Sequence, residues 1–129
     1  MKKRLGHISV FVDDYDRALD FYINKLGFVK VADNVMGAFR WVSVAPDATS
    51  ETKIVFVKAD SPEKLDRLGS QAGSHVLIVL ETDDCMRDFE IMKANGVTFF
   101  GNPQQMPWGT EVVFADLYGN RFDLLQLPG

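Results

Sequence analysis

Hydrophobic and polar positions alternate over His7-Ile8-Ser9-Val10-Phe11-Val12, and then the period changes. From Tyr15 to Leu26 bulky residues fall at 15, 19, 22 and 26, the spacing of one helix face, and Gly27 follows where a helix would end. Phe39-Arg40-Trp41-Val42-Ser43-Val44 and Lys53-Ile54-Val55-Phe56-Val57 read as two strands around the turn-rich stretch Ala45 to Thr52. The second half repeats this order. His75-Val76-Leu77-Ile78-Val79-Leu80 is strand-like, Asp83-Asp84 opens a helix as Asp13-Asp14 does, and Cys85, Phe89 and Met92 share one face of it. Gly96 closes that helix, and the segments beginning at Thr110 and Asn120 answer those at Phe39 and Lys53.

One repeat of about 55 to 60 residues, used twice, accounts for the pattern. Val29 to Val31 and Thr98 to Phe100 add a strand to each unit. The expected architecture is therefore α+β: two β-α-β-β-β units, 5–60 and 73–128, forming a mostly antiparallel sheet that encloses a cleft. A short helical linker over 61–72 joins them, with Ser61 as N-cap, Pro62 at the first helical position and Gly69 as the stop. The 129 residues suit a single domain.

Composition narrows the partners. A net charge of -4 and scattered Lys and Arg argue against a nucleic-acid binder. No stretch approaches the ~20 apolar residues of a membrane span. The basic start Met1-Lys2-Lys3-Arg4 lacks the apolar segment and cleavage site of a signal peptide. One cysteine, Cys85, leaves no intrachain disulfide and fits a reducing compartment, so a cytoplasmic location is expected. Cys85 itself reads as core, since it falls on the apolar helix face.

The chemistry is sparse. Asp123 shares a strand face with Leu125 and Leu127, where an unpaired charge is costly, so either water or a positive group faces it. Arg40 and Arg121 are candidate partners. Glu111, alternating with Val113, is a candidate general base or a solvated strand-end charge. Phe39, Trp41 and Trp108 are candidate ligand-stacking aromatics, with core or loop packing as the other reading. No nucleophile-base-orienter arrangement and no phosphate loop can be assembled.

The helix Asp14…Phe21-Tyr22…Leu26-Gly27-Phe28 and the turn Asp116…Gly119-Asn120, set in two such units, resemble the vicinal-oxygen-chelate superfamily, which includes glyoxalase I, bleomycin-resistance proteins and dioxygenases. In its metal-using members a His precedes the helix-opening Asp by seven residues, as His7 precedes Asp14, and an acid follows the Gly-Asn turn, as Asp123 does. Counting back from Asp84 reaches Leu77 rather than His75, and Asp123 maps in the first unit onto Ile54 or Lys53, so a four-ligand site is not expected. The resemblance implies His7, Asp123 and His75 as ligands of a divalent metal (Fe, Mn, Ni or Zn) and a homodimer. Two functions follow: a metal-assisted lyase, isomerase or oxygenase acting on vicinal oxygens, or a metal-free protein that binds an aromatic or cationic drug.

Overall fold

The computed structural model describes residues 1–129 as two compact units, Met1–Leu68 and Gly69–Gly129, whose boundary falls inside the expected linker. In the first unit strand β1 (His7–Val12) leads into helix α1 (Tyr15–Asp20), then β2 (Val29–Met36), β3 (Phe39–Ala45) and β4 (Lys53–Lys58). Its sheet has the order β1-β4-β3-β2, with β1 parallel to β4 and the other pairs antiparallel. Helix α2 (Pro62–Asp66) ends the unit, with the Ser61 hydroxyl accepting from the Lys64 N–H as the sequence predicts.

The second unit runs β5 (Val76–Glu81), α3 (Cys85–Ala94), β6 (Thr98–Phe99), β7 (Gln104–Met106), β8 (Gly109–Ala115) and β9 (Arg121–Gln126). Its sheet has the order β5-β9-β8-β6, with β7 also on β8 and only the β5–β9 pair parallel. The α+β, mostly antiparallel expectation agrees with this architecture.

Three local features differ from the periodicity reading. The first helix stops being α-helical at Asp20 and continues as a π-helical turn over Phe21–Lys25, where Leu26 N–H donates to the Phe21 carbonyl at 3.2 Å. The widened turn leaves Tyr22 fully buried, its ring edge-on to Phe28 at 5.4 Å and Phe56 at 5.1 Å. Strand β2 is longer than Val29 to Val31, and it takes a register shift between Lys30 and Ala32. Strand β7 has no hydrophobic alternation; it exists because the two-residue connection Pro107-Trp108 folds Met106 back against Gly109.

The Tyr22–Phe56 contact decides which side of the first sheet faces its helix. Val10, Val12, Val42, Val44 and Phe56 lie on that side and are buried. By alternation His7, Ser9, Phe11, Trp41, Ser43, Lys53, Val55 and Val57 form the opposite face, exposed at His7 and Ser9 and buried at Ser43 and Val55. In the second unit Phe89 of α3 meets Phe99 at 4.7 Å, and Phe114 stacks on Phe122 at 5.1 Å. Its open face therefore carries Val79, Glu111, Val113, Arg121, Asp123 and Leu125.

Candidate functional site

On the face of the first unit opposite its helix, exposed His7 begins β1 with its ring set edge-to-face against Trp41, 5.2 Å between centroids. Its partner across the parallel β1–β4 ladder is Lys53. Trp41 is half-buried, and Phe39, at the start of β3, is 54% exposed. Neither is packed against the helix-side core. Arg40 points the other way. Its guanidinium grips Asp33 through two bonds of 2.9 and 2.8 Å, reaches Asp16 of α1 at 3.0 Å and lies over the Tyr15 ring. That geometry holds the Asp33 carboxyl below its usual range, chiefly through the hydrogen bonds from Arg40. Arg40 is consequently not the counter-charge of Asp123.

In the second unit Asp123 sits between Val79 and Val113 on the neighbouring strands. Its Oδ1 is buried without a hydrogen-bond partner. Arg121 lies over the Phe100 ring instead, 4.5 Å from its centroid. Burial, and secondarily the Glu111 carboxylate, push the Asp123 carboxyl above its ordinary value. Protonation of this carboxyl is thus easier in the folded chain than in the unfolded one. Stability from this group is full below the unfolded-state pKa of ~4 and is lost as pH rises through the raised folded value. Asp123→Asn accordingly raises the thermal midpoint at pH 7, and the difference from wild type shrinks as the pH is lowered towards ~4. A midpoint at pH 7 no higher than wild type would show that Asp123 has a partner.

Glu111 does not stand free as a base. Its Oε1 accepts a hydrogen bond from the Trp108 indole N–H, which fixes a half-exposed ring at the tip of the β7–β8 hairpin. Cys85 is core as expected: it is fully buried, with Sγ 3.6 Å from the Leu124 carbonyl. Burial first, then the Asp123 charge, drives its thiol pKa upward, away from a reactive thiolate.

His75 precedes β5, is exposed, and has Nδ1 2.9 Å from the Val76 carbonyl. A bulge does occur in this strand: Val76 pairs with Arg121, whereas Ile78 pairs with Phe122. It places Val76, not His75, in the row of Arg121 and Asp123. The bulge also resolves the repeat mapping. Asp123 lies opposite Val79, five residues before Asp84; the residue five before Asp14 is Ser9, which lies opposite Val55. The first-unit counterpart of Asp123 is therefore Val55, not Ile54 or Lys53.

Neither unit gathers three His, Cys, Asp or Glu side chains into a group that could hold a metal ion. The His7 row adds an ammonium group, which opposes a divalent cation there. The donors each unit presents do not fit the expected metal. Lys53 is the residue that the sequence reading passed over. Its signal was the parallel β1–β4 pairing inherent in a β-α-β-β-β unit, which sets Lys53 beside His7.

Comparison with known proteins places these features. The chain is 43% identical to an uncharacterized protein of Shewanella frigidimarina, over 98% of this chain and 96% of that protein. The solved structure of UcmS2 is 34% identical with a TM-score of 0.84, covering 97% of this chain and 98% of its own. TnmS3, an antibiotic binding protein from a Streptomyces species, is 30% identical with a TM-score of 0.80, covering 98% of each chain. Residues 4–124 match one family over nearly the whole chain, and the protein belongs to the Glyoxalase/Bleomycin resistance protein/Dioxygenase superfamily.

Proposed function

We propose that this chain is a small-molecule binding protein that holds a planar, largely apolar ligand and releases it unchanged. The observation that carries the reading is the Trp108–Glu111 hydrogen bond. It takes up the candidate base and uses it to fix an exposed indole, so a group suited to proton transfer serves as the support of a stacking surface. The exposed Phe39 and half-buried Trp41 give the first unit a surface of the same kind. The likeness to TnmS3, described as an antibiotic binding protein, points in the same direction.

The test is a titration of the protein with planar aromatic antibiotics, followed by tryptophan fluorescence, with the ligand recovered and weighed afterwards. At least one ligand quenches Trp41 or Trp108 saturably and returns with its mass unchanged. Alanine at whichever of the two tryptophans that ligand quenches weakens it about tenfold, the equivalent of ~1.4 kcal/mol of stacking and burial. A changed ligand mass would replace this reading with the metal-assisted enzyme. So would about one tightly held divalent ion per chain.

A further inference from the structure

The face of the first unit opposite its helix carries one kind of charge along β1, β3 and β4. Alternation from the Tyr22–Phe56 contact assigns His7, Ser9 and Phe11 of β1, Lys53, Val55 and Val57 of β4, and Trp41 and Ser43 of β3 to that face. None of these is an acid. Of the acids nearby, Asp33 and Asp16 are engaged by Arg40 and Asp13 by Arg17 at 2.7 Å, while Glu51, two residues before Lys53, is exposed. Lys53 is half-buried and enters no ion pair. A half-buried lysine with no ion pair, paired across the ladder with a histidine whose ring meets a half-buried indole, is complementary to an anion attached to a flat apolar body.

We infer that His7 and Lys53, with Trp41 beside them, form an anion subsite that selects planar aromatic ligands bearing a carboxylate or a similarly acidic oxygen. This rests on the binding-protein reading and adds to it the charge of the ligand and the residue that reads it. Lys53 supplies the charge and up to three N–H donors, His7 supplies a ring N–H, and the indole supplies the apolar contact. A cationic ligand is disfavoured on the same face because Lys53 repels it and no carboxylate there compensates.

Three probes of one shape separate the possibilities: 1-naphthoate, 1-naphthalenemethanol and 1-naphthylmethylamine. Binding is followed by tryptophan fluorescence on wild type, Lys53→Gln and Lys53→Arg, with each variant's fold checked by its urea midpoint. The chain has two histidines, so their ring signals in a carbon-proton spectrum are simple to assign with His7→Gln. In wild type, 1-naphthoate binds at least about tenfold more tightly than the alcohol, the amine binds most weakly, and the acid shifts the His7 ring but not that of His75. Lys53→Gln removes the preference for the acid by weakening it far more than the alcohol, whereas Lys53→Arg retains the preference. Raising the salt from about 0.05 to 0.5 M weakens the acid and not the alcohol in wild type, a readout that needs no variant.

Equal affinity for the three probes, tightest binding of the amine, or an acid affinity untouched in Lys53→Gln overturns the inference while the binding-protein reading stands. If no probe and no aromatic antibiotic perturbs either tryptophan, both readings fall together.

Discussion

Asp116→Ala lowers the stability of the folded chain by about 3 kcal/mol, measured as the loss in unfolding free energy from urea titration. Asp116 is 5% exposed and organises the turn between β8 and β9. One carboxylate oxygen accepts the backbone N–H groups of Tyr118, Gly119 and Asn120 at 2.9 to 3.0 Å, and the other accepts the Asn120 side-chain amide at 3.0 Å. Alanine removes four acceptances from a mostly buried loop, and each donor left unmet costs about 1 kcal/mol or more, offset where water enters. Asp116→Asn loses less, about 1 to 2 kcal/mol, because its amide oxygen still serves the three N–H groups. The Asn120 Oδ1, buried and unpartnered in the native chain, then becomes an acceptor for the new amide. Equal losses in the two variants would mean that the turn does not depend on these acceptances.

That turn also shows how far the sequence could be read. Asp116 and Gly119-Asn120 stood out as a family-like signature, and the reason is local: an acid followed at three and four residues by Gly and Asn has its acceptors in reach of their N–H groups. Alternation placed β1, β3, β4, β5, β8 and β9, and its physical basis is plainest in β9, where Phe122 and Leu124 are buried but Asp123 is not. It missed β7, since Gln104-Gln105-Met106 buries no row and owes its place to β8. The π-helical turn was invisible because residues 15, 19, 22 and 26 keep their spacing whether the chain there closes four-residue or five-residue bonds. For the candidate site the limit was pairing rather than pattern. Which residue stands beside His7, and whether His75 falls in the row of Asp123, depend on ladder register and on a bulge between Val76 and Ile78 that no periodicity marks. The sequence likewise left Glu111 open as a base or a solvated charge, and its bond to Trp108 came into view only with the hairpin turn at Pro107-Trp108.

Gly69→Ala carries a loss of similar size, about 3 kcal/mol, through the same loop. Gly69 has φ +77°, in the region that favours glycine, and a Cβ there would stand 1.8 Å from the Tyr118 carbonyl oxygen and 2.6 Å from its carbon. The obstacle is backbone, so relief requires moving either the segment after α2 or the loop that Asp116 organises. Gly73 separates the two contributions. It also has positive φ, +65°, but nothing lies within 4 Å of a Cβ built on it. Gly73→Ala therefore reports the conformational cost alone, about 1 kcal/mol, and the excess at Gly69 reports the close approach. Because Gly69 and Asp116 both act on the Tyr118 loop, their effects are not independent. Once Asp116→Ala has loosened the loop, the Tyr118 carbonyl yields more readily to the new methyl group, and the double variant loses less than the sum by about 1 kcal/mol or more. Equal losses for Gly69→Ala and Gly73→Ala would show that the loop gives way at no cost. Strict additivity with Asp116→Ala would show that the carboxylate does not hold the Tyr118 carbonyl in place.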